Sequence, residues 1–272
     1  MPDAHTFLLD NGSLEPAATL RLRDLAAALS DRIDAVVEPV SLLHSSGVPA
    51  EQLGGTRAEI FEPAVVRRAE AGGREFLIVP LFFGPSRALT EYLPERTRVL
   101  SAKFPDLVVR VAPALFSPDD ARLARILADN VRAVAATSAR VALVDHGSPV
   151  RVVTEVREAL ARQLAHELGD ATDVVGCCME RRPEPAYDFN EPMLEKLLAR
   201  EGWNSGDVIV AMQFLLPGRH AGPEGDVAEI CRRAEATNSR LRARLTPLVA
   251  EHPGLVEILA DRWRAGRAMS PL

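Results

Sequence analysis

The chain repeats itself, and the repeat constrains its architecture more tightly than any other feature. Leu8-Leu9-Asp10-Asn11-Gly12-Ser13 returns as Leu143-Val144-Asp145-His146-Gly147-Ser148, and Phe83-Gly84-Pro85-Ser86-Arg87-Ala88 returns as Leu215-Leu216-Pro217-Gly218-Arg219-His220. The two landmarks lie 77 residues apart in the first copy (Asn11 to Ala88) and 74 in the second (His146 to His220). Similar segments at nearly constant spacing indicate a duplicated domain. The second copy has histidines where the first has Asn11 and Ala88. Histidine is the usual proton carrier and metal ligand, so the chemistry is expected in the second half.

Apolar runs alternate with segments of helical period through both copies. In the first half, strands are expected over 5–10, 35–43, 75–83 and 107–111, and helices over 17–33, 50–73, 90–104 and 117–137. In the second, strands are expected over 140–145, 171–179 and 207–216, with a short fourth near 246–250. The helices there fall over 150–168, 190–202, 223–244 and 252–266. Strands alternating with helices give parallel sheets covered on both faces. The pattern predicts an α/β protein of two tandem, doubly wound, four-stranded parallel-sheet domains, related by a pseudo-two-fold duplication with an inter-domain cleft. The expected domains are 1–137 and 138–272, with the boundary near 136–139. A length of 272 residues suits two domains of ordinary size.

Several function classes are disfavoured. A net charge of −6 gives no global attraction to nucleic acid or to an anionic membrane. No apolar run approaches the roughly 18 residues of a membrane span, and the first residues lack the basic-then-apolar pattern of a signal peptide. Cys177, Cys178 and Cys231 form no CxxC pair, so neither a disulfide framework nor an iron–sulfur cluster is expected. No phosphate-binding glycine motif is present. The expectation is a soluble, cytoplasmic protein, a monomer or weak homodimer.

In parallel sheets, ligands sit beyond the carboxyl ends of the strands. His146 follows the first strand of the second half, Glu180 ends the second and His220 follows the third. Each alone has a bland reading, as turn histidine, loop histidine or solvated strand end. Their joint placement on one sheet edge points to a site. His166 and His252 belong to helical surfaces, His5 to a terminal strand. His44 is expected in the slot that Glu180 fills in the second half.

With Asp145-His146-Gly147-Ser148, the strand-end Cys178-Met179-Glu180 followed by Pro183 and Pro185, and Leu216-Pro217-Gly218-Arg219-His220 with Asp226-Val227 beyond, the chain resembles the sirohydrochlorin chelatase family. These are the class II cobalt and iron chelatases of cobalamin and siroheme synthesis. The resemblance spans both halves. It implies a lyase in which His146 and His220 hold the metal, with Glu180 as acidic partner and proton acceptor. It also implies that Co²⁺ or Fe²⁺, with Ni²⁺ as a third choice, is a substrate rather than a permanent cofactor, and that sirohydrochlorin or a related tetrapyrrole is the other partner. Five residues separate His220 from Asp226, about two more than is usual in the family, and Tyr92-Leu93-Pro94 stands where the family has Asp-Ile-Pro.

Metal insertion makes demands that these residue types can meet. Neutral imidazole suits Fe, Co and Ni, and two imidazoles form a loose shell that can release its ion. Two pyrrole protons must leave, which needs a base. A polyanionic substrate on an acidic protein needs local cations. Arg181 and Arg182 beside Glu180, Arg219 beside His220 and Arg87 in the matching loop of the first half are the guanidinia available for carboxylates. The backbone N–H groups of Gly147 and Ser148 could serve a carboxylate too. Two other readings use the same residues: a metal or tetrapyrrole carrier without turnover, and a hydrolase using Ser148 with His146. The hydrolase reading is disfavoured because turn neighbours rarely form a nucleophile–base pair and no Gly-x-Ser-x-Gly elbow is present.

Overall fold

The computed structural model describes residues 4–135 and 140–272. The chain divides into two compact units. The first holds the described residues up to Leu115 together with Val256–Leu272; the second holds Phe116–Leu255. The expected boundary at 136–139 lies outside the described residues.

Each unit is built on four parallel strands. In the first, β1 (His5–Asp10), β2 (Val37–Ser41), β3 (Glu75–Pro80) and β4 (Val108–Val111) lie in the order β2-β1-β3-β4. In the second, β5 (Arg140–Asp145), β6 (Asp173–Cys178), β7 (Gly206–Met212) and β8 (Leu241–Leu245) lie in the order β6-β5-β7-β8. The central strands read as continuous apolar runs because both their faces are covered. Phe7, Leu8 and Leu9 in β1 and Val141 to Val144 in β5 are fully buried. The crossovers are α1 (Pro16–Ile33), α2 (Phe61–Glu70), α3 (Leu93–Lys103) and their counterparts α5 (Arg151–Leu168), α6 (Leu194–Ala199) and α7 (Asp226–Thr237). Among the described residues no helix is long and apolar enough to cross a membrane.

The last helix of each half packs where the sequence division at 137 does not put it. Helix α4 (Arg122–Val134) belongs to the second unit. It buries Leu123, Ile126, Leu127 and Val131, packs on α5 and β7, and Asn130 donates to the carbonyl of Pro247 at 3.2 Å. Helix α8 (Leu255–Gly266) serves the first unit instead. Its Trp263 indole donates to Thr6 at 3.3 Å, its Arg262 donates to the carbonyls of Ala114 and Leu115, and Gly266 lies against Ala112 and Leu77. The units are therefore not the contiguous segments 1–137 and 138–272.

Two further expectations need correction. Residues 50–73 do not form one helix: a short 3₁₀ turn at Ala50–Leu53 ends at Gly54 and Gly55, both at positive φ, and α2 starts only at Phe61. The helix expected over 223–244 ends at Thr237, and the fourth strand is Leu241–Leu245 rather than 246–250. The period-2 run Leu241-Arg242-Ala243-Arg244-Leu245 turns its apolar members toward the core while both arginines face water.

Candidate metal centre

The site lies at the carboxyl edge of the second sheet, and its turn is forced by a glycine. After Asp145 ends β5, Gly147 takes φ +93°, and a Cβ there would lie 1.9 Å from the carbonyl oxygen of Glu180. Only glycine permits the β5 loop to pass so close to the loop after β6. The two loops are also stitched by backbone bonds: Met179 N–H donates to Asp145 at 2.7 Å and Glu180 N–H to His146 at 3.2 Å. This close passage brings Glu180 to His146, with Oε1 3.3 Å from Nε2. The loop after β7 supplies His220, whose ring centroid is 4.7 Å from that of His146, at 70° between planes. The three residues placed together by sequence are together in space.

The partners of each ring decide which nitrogen faces outward. His220 Nδ1–H donates to Asp226 Oδ2 at 2.6 Å, which keeps the proton on Nδ1 and leaves the lone pair on Nε2. His146 Nδ1 contacts the Gly147 carbonyl at 3.1 Å, again an acceptor, so its lone pair also lies on Nε2. That Nε2 then faces the Glu180 carboxylate. Two acceptors 3.3 Å apart are unfavourable unless a positive charge lies between them, either a proton on Nε2 or a cation shared by both. The spacing of the rings suits one ion. At a metal–nitrogen distance of about 2 Å, two imidazoles meeting one ion at an angle between square and tetrahedral have ring centres roughly 4.5–5 Å apart.

All three groups reach solvent, with side chains 48% (His146), 62% (Glu180) and 31% (His220) exposed. Among the described residues no three His, Cys, Asp or Glu are grouped so as to enclose an ion. An open two-imidazole shell differs from a closed structural site of four ligands. The cysteines contribute nothing to it. Burial pushes Cys178 up to about 11 and Cys231 up to about 12, and raises Cys177 well above the usual thiol value, so none supplies a thiolate.

Other expected site residues are placed differently. Gly147 N–H donates to Asp145 Oδ1 and Ser148 N–H to Asn190 Oδ1, both at 3.0 Å, so neither is free for a substrate carboxylate. The Ser148 hydroxyl accepts from Val150 N–H at 3.0 Å and makes no bond to His146, as the hydrolase reading would need. Arg181 is only 14% exposed and is held by Glu191 at 2.7 Å and Asp188 at 3.0 Å. It braces its loop rather than facing a ligand. Arg219 is 85% exposed and 3.7 Å from Asp226. Arg87, in the first unit, pairs with Glu91. His166 is exposed on α5 as expected, whereas His252 is part-buried and accepts from Gly254 N–H.

Asp226, part of the sequence motif but given no role there, orients His220. Other site residues escaped sequence reasoning. Asn190, fully buried, joins the two loops by accepting from Ser148 N–H and Thr154 and donating to the Ser148 carbonyl. Beneath the turn, the buried Asp145 is paired with Arg157, itself fully buried, at 3.3 Å. Burial raises the Asp145 carboxyl and Arg157 opposes that rise. The repeat contained a signal for this pair. Helices α1 and α5 both have 18 residues, and the seventh position is Leu22 in one and Arg157 in the other. The structural counterpart of Glu180 is Leu43, not His44, because Gly12 (φ +90°) packs against the Leu43 carbonyl as Gly147 packs against that of Glu180.

Residues 140–265 match the family model described as CbiX. Among solved structures, SirB from Bacillus subtilis with Fe³⁺ is similar over 97% of this chain and 96% of that chain, with TM-score 0.72 and 15% identity. The sirohydrochlorin chelatase SirB from Bacillus subtilis subspecies spizizenii, in complex with cobalt, is similar over 97% and 95%, with TM-score 0.70 and 14% identity. DR2241 from Deinococcus radiodurans, a multi-domain protein with structural similarity to chelatases, is similar over 99% of this chain and 57% of that one, with TM-score 0.62 and 15% identity. At these identities the likeness is one of fold. No curated protein matches the chain by sequence.

Proposed function

We propose that the chain, whose residues 140–265 match the CbiX family model, is a sirohydrochlorin chelatase that inserts Co²⁺ or Fe²⁺ into sirohydrochlorin or a closely related polycarboxylate tetrapyrrole. The observation that carries this reading is the pair of imidazoles 4.7 Å apart with Glu180 3.3 Å from one of them. His146 and His220 hold the incoming ion through Nε2. Two neutral nitrogens bind a borderline divalent ion loosely enough to surrender it to four pyrrole nitrogens. Insertion of the ion releases two protons from the macrocycle. Glu180 and, once its ion has left, His146 are the acceptors within reach. Solvent exposure of Glu180 lets the protons pass on to water. The likeness in fold to SirB, whose solved structures hold iron and cobalt, supports the same assignment.

The test is spectral. Sirohydrochlorin is mixed with Co²⁺ and catalytic amounts of protein, and the macrocycle absorbance is followed. Turnover beyond one equivalent is expected. His146→Ala and His220→Ala abolish it, and His166→Ala does not. Equal rates in all three variants would end the proposal, and a shift that stops at one equivalent would make the protein a carrier.

A further inference from the structure

The loop between β6 and α6 presents an ordered strip of side chains beside the metal centre. Arg182, two residues after Glu180, lies over the Tyr187 ring, with Cζ 5.2 Å from its centroid and Nη1 donating to its hydroxyl at 3.0 Å. Tyr187 neighbours Phe189, ring centroids 6.3 Å apart. Arg151, the first residue of α5, lies over Phe189 with Cζ at 4.5 Å. The strip therefore runs arginine, tyrosine, phenylalanine, arginine. Asn190, the next residue, fastens it to the His146 loop through Ser148.

The charges on this strip differ from those of Arg181 and Arg157 nearby. Arg181 has two carboxylate partners and Arg157 another two. Among the described residues neither Arg151 nor Arg182 is within ion-pair distance of a carboxylate, though both are exposed. Each is held instead by an aromatic face, which fixes the guanidinium plane while leaving its outer N–H groups free. Two oriented, uncompensated forks separated by half-buried rings match a flat apolar ligand with carboxylates at its rim. They do not match a small inorganic anion, which has no use for the rings.

We propose that Arg151 and Arg182, mounted on Phe189 and Tyr187, are the groups that bind the peripheral carboxylates of the macrocycle, in place of Arg181. The assignment rests on the tetrapyrrole reading above and adds which residues select a polyanionic ring. Arg151→Gln and Arg182→Gln each raise KM for the tetrapyrrole about tenfold with little change in kcat. The double variant loses most of its binding, and Co²⁺ affinity in the absence of tetrapyrrole stays unchanged.

The experiment measures two quantities on the full chain. One is binding of free-base uroporphyrin by fluorescence, with a tetracationic N-methylpyridyl porphyrin as the same-sized control. The other is cobalt insertion into sirohydrochlorin. Tight, salt-sensitive uroporphyrin binding that the Gln variants weaken supports the proposal, even if the wild type inserts no metal, which would count against the proposed reaction alone. Insertion by the wild type with KM unmoved in both variants overturns this assignment and leaves the reaction intact. Failure of the wild type to bind uroporphyrin, or equal binding of the cationic porphyrin, overturns the assignment as well. Arg181→Gln separates bracing from binding: it lowers the melting temperature more than either Gln variant does.

Discussion

Asp226→Ala tests how the centre is poised. Asp226 accepts from His220 Nδ1 at 2.6 Å and so fixes both the orientation and the tautomer of the ring proposed to hold the metal. Removing such a partner from a metal-bound histidine typically weakens metal affinity 10–100-fold, about 1.4–2.7 kcal/mol. The structural cost is smaller. Asp226 is 45% exposed and opens α7, where an acidic side chain near the helix N-terminus contributes about 0.3–1 kcal/mol. For a unit of this size that amounts to a melting shift of roughly 1–4 °C. Co²⁺ binding followed by calorimetry at pH 7.5, beside a thermal melt of the same sample, separates the two effects. The expected result is an affinity loss at least tenfold with a near-native melt. Unchanged Co²⁺ affinity would refute the claim that Asp226 sets the ligand nitrogen. Affinity lost only in step with the melt would reduce its role to helix stability.

Three other outcomes follow from buried groups. Burial holds the Asp10 carboxyl at about 6 against 3.8 in the unfolded chain, with Ser41 and Gly12 pulling the other way. The folded state keeps a proton between those values that the unfolded state releases, so stability falls as pH rises through this window, by about 3 kcal/mol once pH exceeds 6. Asp10→Asn should therefore unfold at higher urea than the wild type at pH 7.5 and at nearly the same urea at pH 4; a gain that persists unchanged at pH 4 would contradict this. Arg157→Leu, which installs the residue of the first half, leaves Asp145 buried without its cation and costs about 3–5 kcal/mol. Adding Asp145→Asn should recover part of that loss in denaturant melts, and no recovery would show that the pair is not the cause. Gly147→Ala drives a methyl into the Glu180 carbonyl and should cost about 3 kcal/mol and displace Glu180, lowering Co²⁺ affinity, whereas Gly169→Ala, at φ +87° but with nothing within 4 Å, costs about 1 kcal/mol. Equal losses in the two would remove the argument for close passage of the loops.

The fold and the centre differ in how much of each the sequence carries. The strands were legible because parallel strands buried on both faces must be apolar throughout, as in Val141 to Val144. The exception was Leu241–Leu245, an alternating run that followed a helix without a glycine or proline to mark the break. The fit of α4 on the second sheet and of α8 on the first was not legible, because an amphipathic stripe says that a face is buried and not against what. His146, Glu180 and His220 could be placed on one edge from strand ends alone, since in a parallel sheet every strand ends on the same side.

By itself, then, the sequence determined the duplication, the α/β class, the half that bears the histidines and the edge on which they meet. These are consequences of period and order along one chain. Tertiary structure alone decided that Nε2 is the outward nitrogen of both rings. It also decided that Arg181 braces its loop while Arg182 is held on the Tyr187 ring without a carboxylate partner, and that Gly147 and Ser148 have no N–H to offer. Those properties depend on which donor meets which acceptor across tens of residues, and no local pattern records that pairing.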